Sequence, residues 1–226
     1  MFEFLNKGGW VMYWILGCSL IGFAVILERF IYFCWTGENY KKFLRRIKQL
    51  ISQNNTRGLV EYARNKHSNL SRLSIVYLRN MKRSDEVFAD ILHRVGSQEI
   101  STLEQRLGIL SIIGHVAPLL GLFGTVLGMI KCFQKIEALG GQADVHILAG
   151  GIWVALLTTI FGLIVAMPVI VAHHYFETEA SKRANQMQYL ISELNQMFNL
   201  HRAARDIADD AIPPEDENEY ASVSAQ

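Results

Sequence analysis

Charged side chains are missing from three long stretches of this chain and crowded between them. Gly8 to Leu27, Leu107 to Ile130 and Val145 to Phe176 contain no Asp, Glu, Lys or Arg. A hydrocarbon layer about 30 Å thick takes about 20 apolar residues of helix, and each stretch is long enough. The pattern predicts an all-α integral membrane protein: three transmembrane helices with long cytoplasmic helical extensions. The first stretch reads as a span, not a signal peptide. Before it, Lys7 is offset by Glu3, the apolar run is long, and no small-residue cleavage pattern follows. Trp10, Tyr13 and Trp14 open it and Tyr32 and Trp35 close it, as two water interfaces favour.

Helical periodicity continues outside the spans. Tyr40, Phe43, Leu44, Ile47, Leu50 and Ile51 recur at helical spacing among basic residues. The run 54–58 (Asn-Asn-Thr-Arg-Gly) predicts a break. A second helix is expected from Leu59 to about Lys66, and a third paced by Leu70, Leu73, Tyr77 and Met81. Ser84 with Asp85 and Glu86 suits a helix start, an oxygen cap followed by acids at the positive end of the dipole. From there the spacing predicts a long helix leading into the second span, with Gly96 its weak point. After the third span, Met187, Leu190, Ile191, Leu194, Met197 and Phe198 keep an apolar stripe. It predicts a helix packed on the others, with a membrane-surface helix as the alternative.

Charge orients the chain. Residues 36–106 hold 14 Lys/Arg against 7 Asp/Glu, which predicts a cytoplasmic location by the positive-inside rule. The expected organisation is a periplasmic N-terminus and first transmembrane helix (1–35), a basic cytoplasmic helical segment (36–106), the second transmembrane helix (107–131) and a short periplasmic connector (132–144). The third transmembrane helix (145–176), a cytoplasmic amphipathic helix (177–208) and a disordered acidic tail (209–226) follow. Overall Lys+Arg and Asp+Glu nearly balance, at a formal net charge of +1, and this gives no sign of nucleic-acid binding. Cys18, Cys34 and Cys132 lie in or beside apolar segments, without the spacing of a disulfide framework or zinc site.

At about 100° per residue, Gly114, Ala117, Pro118, Gly121, Gly124, Thr125 and Gly128 share one face of the second span. Gly151, Ala155, Thr158, Thr159, Gly162 and Ala166 share one face of the third, with Val154 at its edge. Small residues let membrane helices pack closely. The same faces could instead line a narrow lumen, where threonine hydroxyls pass water or an ion along an apolar wall. Ion paths usually hold an ionisable group inside the membrane. None of the three spans carries Asp, Glu, Lys or Arg in its middle, so a titrating carboxylate would have to come from another chain. His115 and His146 are the imidazoles to weigh, as relay groups or as polar packing contacts. Pro118 and Pro168 are expected to kink their helices.

The run 117–129 (APLLGLFGTVLGM) resembles the second-span motif of the ExbB/TolQ/MotA family. The run 150–159 (GGIWVALLTT), with Gly162-Leu163 and Ala166-Met167-Pro168, resembles its third span. Glu28-Arg29-Phe30 is similar to a lesser degree. The three-span order fits the ExbB/TolQ branch better than four-span MotA. The resemblance implies a ring, usually a homopentamer, around the single membrane helices of an ExbD/TolR-like dimer. That dimer would supply an intramembrane aspartate and work with a TonB/TolA-like protein. It also implies a bacterial inner-membrane location and no cofactor or metal. By position, Thr125 and Thr159 match the family's ion-path threonines, with Thr158 an added hydroxyl. Val154 stands where ExbB and TolQ carry glutamate, which leaves proton or sodium coupling open.

The function expected on this reading is a motor subunit rather than an enzyme. It would couple proton or sodium motive force to work on the cell envelope, as in TonB-dependent transport or Tol-type envelope maintenance. The rivals are a flagellar or gliding stator-type subunit and a non-conducting membrane scaffold. No phosphate-binding loop, zinc-protease helix or nucleophile elbow is present.

Overall fold

The computed structural model describes residues 9–53, 55–66, 68–140 and 145–210. The described residues form helices and turns only: α1 (Trp10–Trp35), α2 (Tyr40–Ser52), α3 (Thr56–Arg64), α4 (Asn69–Asn80), α5 (Asp85–Glu104), α6 (Leu107–Ala138) and α7 (Val145–Asp210). The protein is all-α, and three of its helical stretches are long and apolar enough to cross a membrane. The acidic tail from residue 211 on, residues 141–144 of the connector and the side chain of His146 lie outside the described residues.

Local chemistry sets the short helices. Asn39 caps α2 by accepting from the Lys42 amide, and Asn55 caps α3 by accepting from the Gly58 amide at 2.8 Å. An added Cβ on Gly58 would stand 2.8 Å from the Asn55 side-chain nitrogen and push on the capping side chain. Ser68 caps α4 through the Ser71 amide at 3.2 Å. Ser84 precedes α5, but its side chain makes no capping hydrogen bond. Asp85 and Glu86 are therefore what suits that helix start to the dipole.

The long helix expected from Ser84 into the second span is interrupted, though not at Gly96. Gly96 lies within α5 in open space. The break falls at Gln105–Arg106, where Arg106 has φ 63°, the single non-glycine positive φ among the described residues. Two adjacent residues of α1 hold it. Glu28 receives Arg106 at 2.6 Å, and Arg29 donates to the Thr102 carbonyl at 3.3 Å, in the last turn of α5 where helix carbonyls lack partners. The Arg29 side chain is only 2% exposed.

Beyond the spans, α7 runs on unbroken and forms the axis of a helical extramembrane body. Met187, Leu190 and Leu194 are buried with Phe43, Ile47 and Leu50 of α2, Leu59 of α3, Leu70 and Leu73 of α4, and Leu92 and Leu103 of α5. Tyr77 reaches from α4 to α7. Its hydroxyl donates to Asn195 Oδ1 at 2.8 Å and its ring stacks on Phe198. Burial pushes this phenol up to about 12.

Within the spans, α6 and α7 run antiparallel along most of their length. Gly114 lies against Ile170, Gly128 against Ala155 and Gly151 against Cys132. α6 continues to Ala138, so part of the expected connector is helical. α1 packs alongside: Gly22 meets Val169 and Ile113, and Phe33 stacks on Phe176. Trp10, Tyr13, Trp14 and Trp35 remain exposed at the two ends of α1, where amphipathic rings suit a membrane–water boundary.

Candidate ion-path site

The two small-residue stripes meet each other within one subunit. A Cβ on Gly162 would stand 2.7 Å from the Ala117 carbonyl oxygen, and one on Gly121 would stand 3.0 Å from the Thr159 Cα. One on Gly124 would collide with the Thr158 side chain. Ala117, Ala155 and Ala166 are buried in the same seam. Glycine here is a packing requirement, since only a bare backbone allows the two helices this close. Pro118 and Pro168 lie inside α6 and α7, and neither ends its helix.

Close approach turns backbone groups into partners across the seam. The Gly121 carbonyl accepts from two hydroxyls of α7, Thr158 and Thr159, each at 3.3 Å. Thr158 also donates to its own helix, to the Ala155 carbonyl at 2.7 Å, and is 1% exposed. Expected on the lumen side, Thr158 is instead enclosed in the seam between α6 and α7 of the one chain. The reason is geometric: neighbours on a helix point about 100° apart, and the gap left by Gly121 and Gly124 receives Thr158. Thr159 is half-buried at the edge of the seam. Thr125, also half-buried, donates to the Leu122 carbonyl of its own helix at 2.6 Å. Val154 is half-buried above Thr158 on α7.

Thr159 lies on the flank of the seam away from α1. Val169 and Phe176, which meet α1, are turned about 80–100° around α7 from Thr159. Thr125 and Thr159 thus border a surface that α1 does not cover. The Gly121 carbonyl is the group the sequence did not single out. No side-chain pattern marks a backbone acceptor, although the glycine that exposes it is visible. His115 is exposed and stands 2.7 Å from the Ser111 carbonyl, one turn back on α6. Among the described residues no group of three or more His, Cys, Asp or Glu could hold a metal ion.

The family model of the MotA/TolQ/ExbB proton channels matches residues 60–189, which takes in the whole seam. The chain belongs to this family. It is similar to an ExbB homolog of Methanothermobacter thermautotrophicus, 32% identical over 182 residues, covering 76% of this chain and 61% of that protein. An ExbB-like protein of Synechocystis sp. is 28% identical over 204 residues, covering 88% and 78%. The Tol-Pal system protein TolQ of Haemophilus influenzae is 32% identical over 108 residues, covering 48% and 46%. The chain thus spans less than two thirds of the length of some relatives and most of another. As a MotA/TolQ/ExbB family member with three apolar helices, it is a multi-pass membrane protein.

Proposed function

We propose that this chain is a ring-forming subunit of an ion-driven motor of ExbB/TolQ type in a bacterial inner membrane. Several copies, five by analogy with the family, enclose the single membrane helices of an ExbD/TolR-like partner dimer. The motive force of protons or sodium drives movement of one component within the other, and a TonB/TolA-like protein carries the work to the envelope. The basic segment 36–106 and the C-terminus lie in the cytoplasm, and the N-terminus and residues 132–144 lie on the periplasmic side.

The observation that carries this reading is the edge position of Thr159. Its hydroxyl is held to the Gly121 carbonyl by a long hydrogen bond, and it sits between two stretches, Leu107 to Ile130 and Val145 to Phe176, that have no Asp, Glu, Lys or Arg. A hydroxyl can ligate a water or an ion without the cost of a lone buried carboxylate. Titration then falls to the partner's aspartate, which agrees with Val154 where relatives carry glutamate. The second reading, a non-conducting scaffold, is favoured by Thr158 and the glycines, whose space is taken up by contact within one subunit. Thr159→Val separates the two. It removes a hydroxyl at constant shape, so a motor loses motive-force-driven envelope function while its ring still forms in a pull-down. A scaffold keeps both.

A further inference from the structure

The face of α7 that carries Thr159 does not end at the last apolar residue. Glu177 follows Thr159 by 18 residues, which is five helical turns, so it returns to the same face about 27 Å along the axis. His173 and His174 flank that line at about 40° and 60° to either side. Their Nδ1 atoms stand 4.0 Å and 3.8 Å from Glu177 Oε2. These separations exceed a direct hydrogen bond and leave the three groups in loose electrostatic contact. The side chains open progressively, from 23% exposed at His173 to 61% at Glu177 and 82% at His174.

Most charged groups at this end of α1, α5 and α7 are already engaged. The antiparallel register that sets Gly114 against Ile170 and Gly128 against Ala155 brings Arg106, the residue before α6, to the level of Glu177. Arg106 is held by Glu28 of α1 at 2.6 Å. Arg29 of α1 donates to the Thr102 carbonyl, and Glu99 of α5 takes Asn69 and Arg72. On α7 itself, Glu179 pairs with Lys182 and Arg183 at 3.3 Å each. Among the described residues, the side chains of His173, His174 and Glu177 pair only loosely, and only with one another.

Resting on the motor reading above, we infer that His173, His174 and Glu177 form the proton port at the α5–α6 end of the ion path. The port exchanges protons between the Thr159 face and bulk water on that side of the membrane. A proton released inside the ring reaches an imidazole nitrogen of the pair through water and passes on to the Glu177 carboxylate. Glu177 then gives one proton to bulk water, so the cluster ends each cycle as it began. Imidazole suits this role because one ring nitrogen can accept a proton while the other donates one.

The test is proton flux in proteoliposomes that hold the chain in complex with its single-span partner, read by a pH-sensitive dye. Wild type is compared with His173→Gln/His174→Gln, Glu177→Gln and Thr159→Val. The bath on the port side is varied from about pH 5 to about pH 8. Native mass spectrometry checks the ring. The inference predicts that Thr159→Val blocks flux. It also predicts that both port changes lose most of the flux and its dependence on port-side pH while rings stay whole. If Thr159→Val blocks flux but both port variants keep wild-type flux and pH profile, the port is wrong and the motor reading stands. If Thr159→Val conducts as wild type, the motor reading itself fails and the port with it. Glu177→Gln alone, at an exposed side chain, decides the question should the double histidine variant not assemble.

Discussion

A Cβ built on Gly162 would stand 2.7 Å from the carbonyl oxygen of Ala117. No real Cβ tolerates that distance from a backbone atom, so α6 and α7 would have to part. Gly162→Ala is therefore expected to cost about 1–3 kcal/mol, the usual range for overpacking. Gly121→Ala, 3.0 Å from the Thr159 Cα, should behave in the same way. Gly96→Ala is the control. Nothing lies within 4 Å of its added Cβ, and alanine improves a helix interior by about 0.5–1 kcal/mol. Thermal unfolding in detergent should rank Gly96→Ala at or above wild type and the two seam variants clearly below it. Equal melting of all four proteins would contradict the seam.

The break between α5 and α6 makes a second prediction. Arg29 is buried and donates to the Thr102 carbonyl, whereas the Glu28–Arg106 pair is partly exposed, at 40% and 49%. Arg29→Ala should cost about 2 kcal/mol, as for a hydrogen bond to a charged group. Glu28→Gln should cost less than about 1 kcal/mol, as for an exposed ion pair. Detergent melting of the two variants checks the order. A larger loss for Glu28→Gln would show that the ion pair, not the buried guanidinium, holds the break.

Tyr77→Phe removes a hydroxyl that ties α4 to Asn195 of α7, and a loss of about 1 kcal/mol is expected. The phenol is pushed up to about 12 by burial, so the folded protein holds its proton more tightly than the unfolded chain. Its contribution is whole below the ordinary tyrosine value of about 10 and is lost as pH rises towards about 12. Melting temperatures of wild type and Tyr77→Phe measured upward from neutral pH should therefore converge in alkali. A constant gap would contradict the buried phenol.

The spans and most helices were legible in the sequence because they rest on local signals. Charge-free runs mark Leu107 to Ile130 and Val145 to Phe176, and the run 54–58 marks the boundary between α2 and α3, although α3 begins at Thr56 and not at the expected Leu59. The break at Arg106 was not legible. It depends on Glu28 and Arg29, more than 70 residues away, and the apolar spacing around Leu103 and Leu107 reads straight through it. The stripes were legible as faces, but not which neighbour each residue would meet. Thr158 and Thr159 are chemically identical and adjacent, and only the position of Gly121 and Gly124 across the seam encloses one and leaves the other at the edge.

Gln53, exposed at the end of α2, reports orientation. With the three cysteines replaced and Gln53→Cys introduced, intact cells should leave this position unlabelled by a membrane-impermeant maleimide, and lysed cells should expose it. Labelling in intact cells would reverse the proposed topology.

Hydroxyls at the edge of the α6–α7 seam, on the motor reading, serve ion movement and not helix packing alone. The most direct measurement is envelope function driven by motive force in cells carrying Thr159→Val, read beside ring recovery in a pull-down. Thr158→Val, enclosed in the seam, and Val154→Ala serve as companions. The account predicts intact rings with function abolished by Thr159→Val, a milder defect from Thr158→Val and almost none from Val154→Ala. Full function with Thr159→Val and with Thr125→Val would contradict it and leave the seam as a packing surface.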